Sequence, residues 1–178
     1  MSAPTEAPVI RPAQDGDLAA VADIYAHYVL NSVATFEEVA PDLASWRQRL
    51  AQHTAEALPL IILEFPGQVL GYAVASPWRP RSAYRYTVED SVYLRPDQLG
   101  RGFGGQLLSA LIEACRVIGK HQMIAVIAEP NPASRALHQA HGFTVSGILP
   151  AVGYKHGHWV DTTLMQRALE PIAGSVLP

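Results

Sequence analysis

A single cysteine, Cys115, stands among 178 residues, so the chain holds no internal disulfide and suits a reducing compartment. No apolar run approaches the roughly 18 residues that a membrane-spanning helix needs. The opening stretch MSAPTEAPVIRPA carries three prolines and lacks the basic-then-apolar order of a secretory leader. Excess positive charge is missing too: the net charge is −3, which argues against nucleic acid as the main partner. Together these absences predict a soluble, cytoplasmic protein that engages neither membrane nor nucleic acid. Hydrophobic residues make up 49% and charged residues 16%, the balance of a chain that folds. The length fits one domain over 1–178, with a core at about 8–169 and a loose tail over 170–178.

The pattern along the chain predicts an alternation of elements with neither repeats nor an interior linker. A short strand is expected at Val9–Arg11. Asp15 and Asp17 offer caps for a helix whose Leu18, Val21, Ile24, Tyr25, Tyr28 and Val29 recur at helical spacing. Asp42 caps a second helix carrying Leu43, Trp46 and Leu50. Leu58–Phe65 and Gln68–Ala75 form a hairpin around Pro66-Gly67. After the loop PWRPRSAYRY, further elements follow: a strand Val88–Leu94, a helix from about Gly104 to Gly119 and an apolar strand Met123–Ala128. A helix Asn131–His141 has Pro132 in its first turn and Gly142 as its C-terminal stop. Strands near Val145–Gly153 and Trp159–Arg167 complete the order β-α-α-β-β-β-α-β-α-β-β.

The most informative stretch is VEDSVYLRPDQLGRGFGGQLL, Val88 to Leu108. A strand runs into Gly100, Gly102, Gly104 and Gly105, and these open a helix. Glycines let the backbone approach a ligand, and a helix start supplies unpaired N–H groups and a positive dipole end, a site for phosphate oxygens. Arg95 and Arg101 stand ready to add charge. Gly100, Gly102 and Gly105 also satisfy the dinucleotide fingerprint, with Glu129 ending the next strand. The context opposes that reading. Arg95–Leu99 separate strand from glycine, and hairpins rather than successive strand–helix–strand units lie upstream. A nucleoside-triphosphate loop fails because no Gly-Lys-Ser/Thr follows.

With strand, loop and helix in this order, the segment resembles the acetyl-CoA pyrophosphate loop of the GNAT acetyltransferases, and NPASRALHQAHGF resembles the next segment of that family. HYVLNSVATFEE, SPWRPRSAYRYTVEDSVYL, AVIAEPNPAS and GYKHGHWVD are similar to segments of the phosphinothricin and methionine-sulfoximine N-acetyltransferases, a match from about Ile10 to Gln166. The resemblance implies a mixed α/β GNAT fold, a central, mostly antiparallel twisted sheet flanked by helices, with acetyl-CoA wedged between Val88–Leu94 and Met123–Ala128. It assigns cofactor contact to Val92, Tyr93, Leu94, Leu99, Gly100, Arg101, Gly102, Phe103, Gly104, Gly105, Asn131 and Ser134. One position departs from the family: three residues before Gly102, where Arg or Gln is usual, stands Leu99.

Acetyl transfer to an amine needs a base for the ammonium proton, a partner for the carbonyl oxygen, and a proton for the departing thiolate. The resemblance places Glu89 as the base, the Val92 N–H at the oxygen and His138 as the acid; a solvated carboxylate and a helix-surface histidine are the alternatives. Asp90 falls on the opposite face of a regular strand, as a secondary partner. Arg79, Arg81 and Lys155 offer a clamp for a carboxylate or phosphinate. Arg81, Tyr84 and Phe36 match substrate-side positions, or else serve as loop anchors and core. His156 and His158 lack the further ligands of a metal site, so no metal is expected, and Cys115 reads as core. The expected activity is direct transfer in a ternary complex to the amine of an amino-acid-like substrate such as L-phosphinothricin or L-methionine sulfoximine, in a homodimer. Acetylation of a protein N-terminus or a polyamine, and a non-catalytic acyl-CoA-binding module, are the rival readings.

Overall fold

A computed structural model describes residues 7–169; the expected tail over 170–178 lies outside the described residues. The elements follow the expected order. Strand β1 spans Val9–Pro12, helices α1 and α2 span Leu18–Asn31 and Leu43–Ala55, and β2 (Leu60–Phe65) and β3 (Gln68–Pro77) form the hairpin. Then come β4 (Thr87–Leu94), α3 (Phe103–Val117), β5 (Gln122–Ala128), α4 (Pro132–Ala140), β6 (Thr144–Lys155) and β7 (His158–Ala168). Asp42 caps α2 as expected, its carboxylate accepting from the Ser45 N–H at 2.8 Å. Asp17 does not cap α1. Its carboxylate accepts instead from both terminal nitrogens of Arg11, at 2.7 and 2.8 Å, and from the Gln14 N–H. At the other end of the chain, Gly142 takes φ +79° and lets the Phe143 N–H return to the His138 carbonyl, which closes α4.

The seven strands form one sheet in the order β1-β2-β3-β4-β5-β7-β6, antiparallel everywhere except between β4 and β5. A parallel neighbour needs a crossover, and α3 supplies it. Helices cover both faces, so β2 reads as the unbroken run LIILEF rather than alternating. On one face Leu18, Val21 and Ile24 of α1 and Trp46 of α2 pack on Leu60, Ile62 and Tyr72. On the other, Leu107, Leu108 and Leu111 of α3 pack on Ala73, Val88 and Met123. Each of those three leucines is fully buried, worth about 1.5–3 kcal/mol apiece. Cys115 is also fully buried in this core, as its apolar neighbours predicted.

Candidate active site

The parallel pairing of β4 with β5 runs from Thr87↔Gln122 to Asp90↔Ala125 and stops. Beyond Asp90 the strands part. The register of β3 with β4 is uninterrupted, and the Arg95 N–H donates to the Leu70 carbonyl at 2.9 Å, so odd-numbered residues of β4 direct their amides to β3. Alternation then turns the peptide groups of Val92 and Leu94 toward the space that β5 has vacated. On β5 the Glu129 N–H donates to Asp161 of β7 at 3.0 Å, which leaves Val126 and Ala128 facing the same space. The result is a cleft of about 450 Å³, lined by Val92, Tyr93 and Leu94 on one side and Val126 and Ile127 on the other. Its floor is a ladder with open rungs, suited to a slender ligand that carries amides. Tyr28 closes one end, its hydroxyl donating to the Leu94 carbonyl at 2.7 Å.

At that end lies the glycine loop. Gly100 and Gly102 hold φ of +73° and +79°, a conformation that favours glycine, and Leu99, Gly100, Gly102, Gly104 and Gly105 line the cleft. No side chain caps α3, whereas Asp42 caps α2 and Asn131 caps α4. The first-turn amides of α3 and its positive dipole end are thus left for an anion. Phe103 and Arg101 turn their side chains away from the cleft. The Phe103 side chain turns into the core beside Leu107, so only its backbone faces the loop. Arg101 lies outside the cleft lining, donating to Gln98 at 2.7 Å and resting over the Phe103 ring, while Arg95 pairs with Asp97 at 2.9 Å. Asn131 and Ser134 line the cleft as expected, and the Asn131 side chain caps α4 by accepting from the Ser134 N–H at 3.0 Å.

Glu89 and Asp90 project to opposite faces of β4. Asp90, buried, reaches His138 of α4, with His138 Nε2 2.9 Å from Asp90 Oδ2. His138 Nδ1 lies 2.7 Å from the Ser134 carbonyl, which can only accept. Nδ1 therefore donates to that carbonyl, and Nε2 faces the Asp90 carboxylate. Burial opposes a charge on the ring, but the carboxylate of Asp90 and the Ser134 carbonyl outweigh it and hold His138 above the ordinary histidine value. His138 lines the cleft, held between Asp90 and the Ser134 carbonyl. The other oxygen of Asp90, Oδ1, is buried and has no hydrogen-bond partner among the described residues. Glu89 is half-buried on the face of α1 and α2. Burial pushes its carboxyl up, the Asp90 charge adds to this, and Arg79 draws it back in part.

The expected substrate residues divide into two places. Arg79, Arg81 and Tyr84 line a mouth of about 720 Å³ together with Arg85, Lys120 and Glu56. Phe36 and Lys155 sit elsewhere, where β6 meets the segment after α1: the Phe36 ring covers Gly153, which has no room for a side chain. Lys155 is buried and donates to the Thr35 carbonyl at 2.7 Å, so it does not join Arg79 and Arg81 in one clamp. Burial lowers its pKa against the pull of Glu38 and Glu37. The sequence reading missed a third space of about 310 Å³, walled by Tyr25, Trp46, Arg49, His53, Tyr72 and Tyr93. It shares Ser91 and Tyr93 with the cleft, and Gln52 and Pro77 with the mouth. Cleft and chamber adjoin along β4, chamber and mouth adjoin at Gln52 and Pro77, and Glu89 lies on the chamber's side of β4. The aromatic residues missed, Tyr25, Trp46 and Tyr72, come from α1, α2 and β3, and each one alone reads as ordinary core.

A parallel strand pair that splays over an uncapped, glycine-led helix defines the acyl-CoA transferase class. The Acetyltransferase (GNAT) family model matches residues 19–143, and the chain belongs to that family. It is 48% identical over 161 residues to the phosphinothricin N-acetyltransferase of Alcaligenes faecalis, covering 90% of this chain and 82% of that protein. It is 44% identical over 163 residues to the L-methionine sulfoximine/L-methionine sulfone acetyltransferase of Pseudomonas aeruginosa, covering 91% and 95%. Among solved structures, a GNAT phosphinothricin acetyltransferase from Sinorhizobium meliloti in complex with AcCoA superposes with a TM-score of 0.89 at 44% identity, covering 94% of each chain.

Proposed function

We propose that the chain transfers the acetyl group of acetyl-CoA to the amine of a small amino-acid-like acceptor, of the kind L-phosphinothricin, L-methionine sulfoximine and L-methionine sulfone represent. The observation that carries this reading is the splay between β4 and β5, which opens one residue beyond the half-buried Glu89. Acetyl-CoA supplies the activated thioester. The residues present fit it: open rungs at Val92, Val126 and Ala128 and the free N–H of Leu94 suit the amides of its arm, and the uncapped start of α3 suits its phosphates.

Glu89 takes the ammonium proton of the acceptor, directly or through water, and its raised pKa makes it a stronger base than an exposed carboxylate. The Val92 N–H steadies the oxygen on which charge develops. With a thiol pKa of about 8.5, the leaving sulfur of bound acetyl-CoA would need little help from a protein acid, and His138 lines the cleft as the nearest titratable group of α4. Four cations against one carboxylate in the mouth, Arg79, Arg81, Arg85 and Lys120 against Glu56, favour an acceptor bearing negative charge over a polyamine.

The protein works as a single cytoplasmic domain and as a homodimer. The sheet edge supports the latter, since Ile148, Leu149, Val152 and Tyr154 of β6 and Trp159 of β7 are exposed apolar side chains there. A thiol-release assay with acetyl-CoA, run against L-methionine sulfoximine, L-phosphinothricin, a peptide and spermidine, tests the reading. Turnover is expected with the first two, falling about 100-fold or more in Glu89→Gln. Turnover with the peptide or spermidine alone, or wild-type rates in Glu89→Gln, would overturn it.

A further inference from the structure

Each turnover leaves a proton on Glu89, and the carboxylate must lose it before it can act again. The register of β3 with β4 sets Ser76 directly opposite Glu89, on the same face of the sheet, with Cβ atoms about 4.5–5.5 Å apart. Ser76 lines the chamber between α1, α2 and β4, as does His53 of α2. The Ser76 hydroxyl lies 3.5 Å from His53 Nε2, the outer reach of a hydrogen bond. Glu89, Ser76 and His53 thus follow one another from the sheet to the helix.

The protonation of His53 suits the end of such a row. Its Nδ1 lies 2.8 Å from the Arg49 carbonyl, which can only accept, so Nδ1 carries the proton of the neutral ring. Nε2 keeps a lone pair, and the Ser76 hydroxyl donates to it. Among the described residues that wall the chamber, no other side chain offers a basic lone pair. The Arg49 guanidinium only donates, and it is paired with Glu37 at 2.8 Å. Burial raises the hydroxyls of Tyr25, Tyr72 and Tyr93 above their usual value, so they keep their protons. His53 itself is half-buried in the last turn of α2, where the helix presents the negative end of its dipole to a cation. A proton that reaches it has solvent within range.

We infer that His53 is the proton outlet of Glu89. The O–H bond formed when Glu89 takes the ammonium proton breaks again. Ser76, or a water beside it, receives that proton as it gives up its own, and an N–H bond forms at Nε2. The resulting imidazolium releases one proton to bulk water, which restores both residues. The inference rests on the proposed acetyl transfer with Glu89 as base. His53 acts through Glu89 and does not touch the reacting atoms.

The test measures thiol release with acetyl-CoA and L-methionine sulfoximine for the full chain and for His53→Ala and His53→Asn. Asn keeps a side-chain N–H for the Arg49 carbonyl and cannot carry a proton. Both variants are expected to lower kcat about 100-fold, the low end of what a positioned proton transfer contributes, with KM for acetyl-CoA unchanged. Added imidazole is expected to restore turnover to His53→Ala, and a triazole, of the same size and far less basic, to restore much less. A wild-type kcat in His53→Asn overturns the outlet. So does a loss in His53→Ala that both rings relieve equally, or that neither relieves, because His53 then only fills space or steadies α2. If the His53 variants turn over normally while Glu89→Gln does not, the outlet falls and the base stands. A wild-type chain that releases no thiol with any of the acceptors named above removes the transfer reading, and the outlet with it.

Discussion

Replacing Asp90 by Asn tests the buried pair that ties β4 to α4. The side chains of His138 and Asp90 are 6% and 1% exposed, and the contact is 2.9 Å. Breaking a buried pair by deleting one partner costs about 3–5 kcal/mol, because the survivor keeps its charge in a poor solvent. Asn keeps the volume and still accepts from His138 Nε2, so the loss should fall to about 2–3 kcal/mol. For a chain of this size that is a drop of roughly 4–12 °C in Tm. The pH dependence carries the sharper signature. His138 is held above its ordinary value in the folded chain, so its contribution is complete below the unfolded histidine pKa, about 6.5. It is lost as pH rises through the folded value. Thermal unfolding followed by circular dichroism from pH 5.5 to 9 should therefore show the gap between wild type and Asp90→Asn widest at the acid end and narrowing upward. A gap that is constant, or that grows with pH, would refute the raised pKa of His138. Equal stability of the two proteins would refute the pair itself.

Other perturbations have equally definite outcomes. Gly71→Ala places a methyl 2.7 Å from the Tyr93 carbonyl oxygen and closer still to the Leu94 side chain, so it should cost about 1–3 kcal/mol, read as a lower Tm. Leu99→Arg restores a cation at the cleft's loop, and one charge-assisted hydrogen bond to phosphate should lower KM for acetyl-CoA about fivefold. Cys115, fully buried and with its thiol pushed up to about 12, should resist alkylation in the native chain and react only after denaturation; native labelling that abolished activity would reopen a covalent route.

Much of this architecture was legible because its signals are local. Helical spacing from Leu18 to Val29, the Asp42 cap and the Gly142 stop each act within a few residues, and they located α1, α2 and α4. The cofactor side of the site was legible for the same reason: one strand, one loop and one helix start are consecutive in the chain. Boundaries moved where the sheet extended a strand beyond its apolar run, as β3 did to Pro77 and β6 to Lys155. What could not be read depends on distant pairs. Asp90 and His138 lie 48 positions apart, and the chamber draws its walls from α1, α2, β3 and β4. Lys155 misled for a related reason. A lysine after a β-strand suggests a surface charge, but the fold brings the Thr35 carbonyl to it across 120 residues and buries it.

The splay between β4 and β5 has a consequence for the life of the protein as well as for its chemistry. A sheet that leaves rungs unmatched in its own interior is unfinished until a small molecule completes it. The energy of that completion belongs to the fold: a ligand present at one hundred times its Kd adds about 2.7 kcal/mol to stability. Without the molecule that fills the gap, the strands beyond Asp90 and Ala125 have no common strut, and the protein should unfold at a lower temperature than when the gap is filled.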